Sequence, residues 1–259
     1  MPPKKPKVKV VPREHGGTVM ILAGALAGFF WEPVYTPEAL AMLLAITAAF
    51  FARDPVGLWL KRPAAPPATR AVLLKIGALW GGLALLSGGY LLFRLPLLEL
   101  GILAALGLPL FGLLVFARAT RRERQAWAEA IGVASLGLPP AALHLAAVGE
   151  LDAQAGIVSG ACLLFFTGST LHLRALVRDR KVKGEPPPPS RAWIWGPVAA
   201  LVGIGLHLAE LVPLAFAAAN ALAFLRPLVM RGWITQGVMR VGFAETGLTL
   251  AFLLLLVLL

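Results

Sequence analysis

The sequence predicts an all-α fold, a polytopic transmembrane helix bundle of about nine spans, on three observations. Hydrophobic residues fill 58% of the 259 positions and charged residues only 14%, against roughly a quarter charged in a soluble domain. The apolar residues gather in blocks of about 20, the length that crosses a ~30 Å hydrocarbon core as a helix. The blocks are continuously apolar rather than alternating, which argues against a strand barrel.

Residues 1–13 read as a basic cytoplasmic N-terminal arm and 14–259 as a single transmembrane helical domain. The spans fall at about 14–32, 38–54, 71–93, 95–117, 126–148, 152–174, 192–209, 211–226 and 236–258. Proline and charge mark the breaks, as at Glu32-Pro33, Pro63 to Pro67, Arg94-Leu95-Pro96 and Pro186 to Pro189. The first two spans are short enough to tilt or re-enter. Lys4, Lys5, Lys7 and Lys9 ahead of Ala25-Leu26-Ala27 superficially form a signal peptide. Arg13-Glu14-His15 directly abuts the apolar stretch and many spans follow, so the segment reads as an uncleaved first span.

Of the 24 basic residues, all but Arg94 fall on one side of this arrangement. The positive-inside rule then puts the N-terminus inside and the C-terminus outside. It also decides residues 194–225: two helices broken near Glu210 to Pro213 keep Arg226, Arg231 and Arg240 inside, whereas one long helix puts them outside. The formal charge of +11 therefore first describes topology, and second an affinity for anionic headgroups or an anionic ligand. No nucleic-acid motif accompanies it. Cys162 is the single cysteine, which excludes an intrachain disulfide and a cysteine-cluster metal site.

Four polar clusters stand at the cytoplasmic ends of the spans. Arg13-Glu14-His15 opens the first, where a cation, a carboxylate and an imidazole at a helix N-terminus can hold an anion or relay a proton, or simply anchor the span. Arg53-Asp54 with Lys61-Arg62 follows the second; Arg53 and Asp54 can pair with each other. Arg118 with Arg121 to Arg124 follows the fourth. Arg174 and Arg178-Asp179 follow the sixth, Arg174 and Arg178 sharing a helix face. Within the apolar blocks, Glu129, His144, His207, Asn220 and Glu245 stand out, because polar groups at membrane depth are costly and usually face the bundle interior. Glu245 is placed to neutralise a buried arginine, while His144 and His207 read as interfacial. No H-x-x-x-H pair, phosphate loop, nucleotide fingerprint or nucleophile elbow is present, and no metal site is expected.

Together the clusters resemble the YwiC-like family of bacterial membrane proteins. The matching residues are Pro12-Arg13-Glu14-His15-Gly16, Phe51-Ala52-Arg53-Asp54-Pro55 with Leu58-Trp59-Leu60-Lys61-Arg62, Phe165-Phe166-Thr167-Gly168-Ser169 leading into Arg174 and Arg178-Asp179-Arg180, and Gly242 to Glu245. Where such proteins often read Arg-Glu-His-Gly-Ala-Trp, this chain has Gly17 and Thr18 after Gly16. The resemblance implies a bacterial cytoplasmic (inner) membrane protein and brings no reaction with it. The span count and the polar clusters after spans two and six also look like UbiA-type prenyltransferases. That likeness implies a prenyl diphosphate substrate held by magnesium on aspartate-rich loops. Here each loop keeps one aspartate, Asp54 and Asp179, amid basic residues, and hard cations want several oxygen ligands.

Three readings stand at this point. The chain binds or moves an anionic or amphiphilic small molecule at the cytoplasmic half. It is a prenyltransferase-like enzyme with a remodelled site, an isoprenoid-like substrate and, on that reading alone, magnesium. Or it is an assembly partner in a membrane complex. No other cofactor is implied, and membrane lipids are partners on every reading. The expected anion-binding set is Arg13, Glu14, His15, Arg53, Asp54, Lys61, Arg174, Arg178, Asp179 and Glu245, converging on one cytoplasmic-side cavity with Glu245 near its floor. The competing arrangement has each aspartate paired with its sequence neighbour at the surface. The topology is testable directly: a reporter fused after Leu259 reads out an external location, and a cytoplasmic signal means that a span within 194–225 is miscounted.

Overall fold

Several helices begin where a proline or a capping side chain relieves the unsatisfied first-turn donors. The computed structural model describes residues 22–29, 35–123, 125–179, 191–233 and 238–258. Helix α1 covers 22–29 of the first expected span. α2 (Pro37–Lys61) starts on Thr36, whose Oγ1 accepts the Ala39 N–H at 3.0 Å. α3 (Pro67–Leu92) and α4 (Leu97–Ala119) follow prolines. Then come α5 (Ala126–Leu136), α6 (Leu138–Val148) and α7 (Ala153–Asp179). A 3-10 turn (Arg191–Ile194) leads into α8 (Trp195–Leu208) and α9 (Leu214–Ala221). A second 3-10 turn (Leu222–Phe224), α10 (Leu225–Trp233) and α11 (Val238–Leu258) complete the order.

Among the described residues, five helical stretches are long and apolar enough to cross a membrane: Pro37–Lys61, Pro67–Leu92, Leu97–Ala119, Ala126–Val148 and Ala153–Leu176. Trp195–Leu208 and Leu214–Met230 are shorter apolar helices. Large side chains point outward from α3 and α4, among them Leu79, Leu85, Leu86, Leu98 and Leu108. Water does not tolerate so wide an apolar surface, and lipid does. The architecture is a multi-pass membrane helix bundle.

Three boundaries differ from the sequence expectation. The second span does not stop at Asp54: α2 runs through Pro55 to Lys61. One lost backbone bond is outweighed by packing, because Gly57 lets α2 approach so close that an added Cβ would sit 2.6 Å from Arg118 Cγ. Arg53, Asp54 and Lys61 are thus carried on a helix rather than a loop. The fifth span is two helices jointed at Gly137, since Pro139 and Pro140 have no N–H to give Ser135 and Leu136. The eighth continues past residue 226, so Arg226 lies inside the bundle and not in a connection.

The chain does turn back between Leu208 and Pro213, as the charge distribution requires. Leu211 N–H bonds Leu206 C=O at 3.0 Å and Glu210 N–H bonds His207 C=O at 2.9 Å, a Schellman closure. α4 ends the same way, through Arg122 N–H to Ala117 C=O at 2.8 Å and Arg121 N–H to Arg118 C=O at 3.4 Å. Both closures put a non-glycine residue in the left-handed region, Glu210 at φ 58° and Arg121 at φ 62°.

Packing around these elements forms two main cores. Phe165, Phe166, Ala199, Phe216, Ala219 and Phe252 centre one on α7. Met42, Leu91, Leu143 and Leu145 centre the other on α2 and α6. α1 lies between them, giving Ala23 and Ala27 to the first and Ala25 to the second. His144, expected at the interface, is buried, with Nε2 3.0 Å from the Asp152 carboxylate. Asp152 caps α7 through the Ala155 N–H. That bond holds the Asp152 carboxyl below the ordinary aspartate range.

Glu210 and Arg121 are exposed, so replacing either removes left-handed strain without opening a core. Glu210→Gly and Arg121→Gly are each expected to stabilise the detergent-solubilised protein by up to about 1 kcal/mol, and Glu210→Val to destabilise it by a similar amount. Thermal midpoints check this; a lower midpoint for both glycine variants refutes the cap assignment.

Candidate functional site

Two polar clusters sit on opposite kinds of ground, one at helix ends and one inside the bundle. The first joins α2, α4 and the turn after α4. Asp54 is buried and lies 3.4 Å from Arg53 Nε and 3.8 Å from Arg118 Nε. Arg118 Nη1 donates to Glu123 Oε1 at 3.1 Å, and Lys61 Nζ stands 3.7 Å from the same oxygen. Arg53 also covers the Phe50 ring at 4.9 Å. Asp54 thus pairs with its sequence neighbour and bridges to a second helix at once. With cations on both sides, its oxygens serve as counter-charges rather than metal ligands.

Arg174 is half exposed and pairs with Glu129 of α5 at 2.8 Å, which accounts for that intramembrane carboxylate. Arg13, Glu14 and His15 lie outside the described residues, as do the side chains of Arg178 and Asp179. Among the described residues, no group of three or more His, Cys, Asp or Glu side chains gathers as a metal site. An open cavity of about 490 Å³ lies at the α2–α3 connection, lined by Trp59, Pro63 and Arg70. Its cation is engaged: Arg70 Nη1 donates to Pro63 C=O at 3.1 Å and the guanidinium lies 5.0 Å over the Trp59 ring.

The second cluster is the one that the sequence only half revealed. Glu245 of α11 accepts from Arg226 Nε of α10 at 2.9 Å, and both side chains are buried. By its place in the sequence, Arg226 falls among the cations of the connection after the eighth span. The guanidinium carbon lies 4.0 Å over the Phe165 ring of α7, a favourable contact in a dry site. Glycines make room for this packing. A Cβ on Gly168 would fall 2.4 Å from the Trp195 ring and 3.1 Å from Arg226 Nη1. A Cβ on Gly196 would fall 2.7 Å from the Ala223 carbonyl oxygen. Trp195 is locked by its own Nε1–H to Leu164 C=O, 3.0 Å.

Arg226 is only 2% exposed, yet its Nη1 and Nη2 have no hydrogen-bond partner among the described residues. The same holds for His172 Nε2, which lines a crevice with Gly168, Gly196 and Arg226. Buried guanidinium nitrogens without acceptors are costly. Two of them side by side form a fork shaped for a pair of oxygens. The signal in the sequence is Glu245; its partner is hidden because an arginine beside a span is ordinarily a topology determinant.

Breaking a buried ion pair from one side leaves an uncompensated charge. Glu245→Gln is therefore expected to destabilise the protein by about 3–5 kcal/mol, whereas the double change Arg226→Met with Glu245→Leu recovers most of the loss. Thermal unfolding in detergent reads both; a single-variant cost below about 1 kcal/mol would contradict the burial of the pair.

No curated protein and no solved structure matches the chain. Residues 11–144 match the family described as YwiC-like protein. That match takes in the α2 cluster carrying Arg53, Asp54 and Lys61, and it spans more than half of the sequence. The chain belongs to the YwiC-like family.

Proposed function

We propose that this YwiC-like membrane protein binds, or moves across the bilayer, an anionic or amphiphilic small molecule at the cytoplasmic half of the bundle. The observation that carries the reading is the Arg226 fork: a buried guanidinium, fixed at Nε by Glu245 and under its face by Phe165, with both remaining nitrogens unclaimed among the described residues. Most buried polar atoms have a hydrogen-bond partner; this guanidinium leaves two nitrogens without one among the described residues. The cytoplasmic assignment rests on the charge distribution, with the N-terminus inside and the C-terminus outside a bacterial inner membrane. Arg53, Asp54 and Lys61, with Arg13, Glu14, His15, Arg174, Arg178 and Asp179 on their sequence positions, supply the basic approach that concentrates an anion near the site.

The assembly-partner reading draws on a different observation. Gly81, Gly88, Gly101 and Gly112 on α3 and α4 have open space where a side chain would stand, and small residues let another helix come close. A prenyltransferase-like site has no comparable support, since Asp54 is occupied by Arg53 and Arg118.

Mass spectrometry of small molecules retained by the purified protein separates these readings. The wild type is expected to retain an anionic species, and Arg226→Lys, which keeps the charge and loses the fork, to retain it at least tenfold less. Equal retention in both removes Arg226 from the site. A wild type that retains no anion but copurifies with a stoichiometric membrane protein moves the assembly reading ahead.

A further inference from the structure

We propose that the Arg226 site takes a small monocarboxylate, and that the anion binds together with one proton, which His172 accepts. The inference rests on the reading just given and adds the ligand's class and its charge coupling.

The class follows from the shape of the donor set. Glu245 occupies Arg226 Nε, so the free edge is the Nη1–Nη2 fork, which matches the two oxygens of one carboxylate. The crevice lined by Gly168, His172, Gly196, Ala223, Arg226 and Pro227 is too narrow to hold a water molecule as it stands. Any ligand must part these walls, and a slender planar head displaces them least. A phosphate ester is bulkier and, as a dianion, brings twice the charge.

The proton follows from electroneutrality. Among the described residues the charges at the site are Arg226 and Glu245, which sum to zero. A monovalent anion leaves it at minus one in surroundings of low dielectric, where an unbalanced charge is expensive. One proton restores neutrality. Glu245 is a poor acceptor, because protonating it would dismantle the pair that holds the fork. His172 is buried, lines the same crevice and has Nε2 without a partner among the described residues, so its lone pair can take the proton from solvent. The elements packed around it carry these other charges, with Arg178, Asp179, Arg191 and Arg231 on the same elements but their side chains outside the described residues. α10 brings Arg226 and α11 brings Glu245, with Arg240 exposed at its start. α7 brings Arg174, which is turned to Glu129 of α5. α8 and its leading turn bring Trp193 and Trp195, which do not titrate, and His207 at the far end, whose Nδ1 lies 3.0 Å from Val212 C=O. Arg226 is the cation that shares its crevice among the described residues, and an anion in the fork would offset the repulsion between that charge and a proton on His172.

Calorimetric titration of the full-length protein in detergent tests this, with sodium acetate as probe, inorganic phosphate as comparison, and two buffers of different ionisation enthalpy. The buffer dependence of the heat counts protons taken up per anion bound. Acetate is expected to bind with uptake of about one proton, its affinity falling about tenfold per pH unit as pH rises. His172→Gln is expected to keep acetate binding and lose the uptake; Arg226→Lys is expected to weaken binding at least tenfold. Arg226-dependent acetate binding without proton uptake, or with uptake that survives His172→Gln, overturns the coupling and leaves the anion-site reading in place. Phosphate binding without acetate binding overturns the monocarboxylate assignment alone. No heat from either anion at high millimolar concentration overturns the proposed function and this inference with it.

Discussion

The pair formed by Arg226 and Glu245 is the interaction around which the C-terminal half is arranged. A guanidinium in an apolar bundle is tolerable only if a carboxylate, an aromatic face or both meet it. Meeting those demands fixes three helices relative to one another: α10 supplies the cation, α11 the anion and α7 the Phe165 ring. The apolar cluster of Leu176, Met230, Val241 and Ala244 then packs where the same three helices converge. Phe165 in turn stacks on Phe252 of α11 at 4.1 Å, so the ring under the charge also belongs to the main core.

Such an arrangement needs backbones to come closer than side chains normally permit. Gly28 against Pro140, Gly57 against Arg118, Gly168 against Trp195 and Gly196 against Ala223 each occupy a place where a methyl group would collide. In lipid, helices gain little by hiding apolar surface from one another, so close contact and the burial of polar groups carry more of the association. The outward faces of α3 and α4 show the complement: large leucines exposed and glycines with nothing opposite them.

Much of this was legible in the sequence, for identifiable reasons. Long apolar blocks separated by proline and charge announced the spans, and the placement of basic residues announced the turn between Leu208 and Pro213. Glu245 pointed to a buried cation, because a carboxylate at that depth is costly unless a counter-charge or proton meets it. What stayed hidden was which arginine. Arg226 closes the apolar block that runs up to Leu225 and is followed at once by Pro227, a pattern that ordinarily marks the return to water. Asp54-Pro55 misled in the same way. There a helix that loses one hydrogen bond keeps going when the next turn, at Gly57, packs tightly enough. His144 reads as interfacial in the sequence because its partner, Asp152, lies across a turn, and proximity of that kind has no periodic signature.

The joint at Gly137 has a consequence for motion. Pro139 and Pro140 withhold the donors that would tie the last turn of α5 to the first of α6, and the Leu136 carbonyl instead faces Gly24, 3.3 Å from where a Cβ would stand. The hydrogen-bond ladder is therefore cut in mid-span. Fraying that begins at Ala126 has no continuous path into α6, whose residues from Pro139 to Ala146 are mostly buried. The span is expected to divide into two units in amide exchange, with α5 opening before the more deeply buried α6.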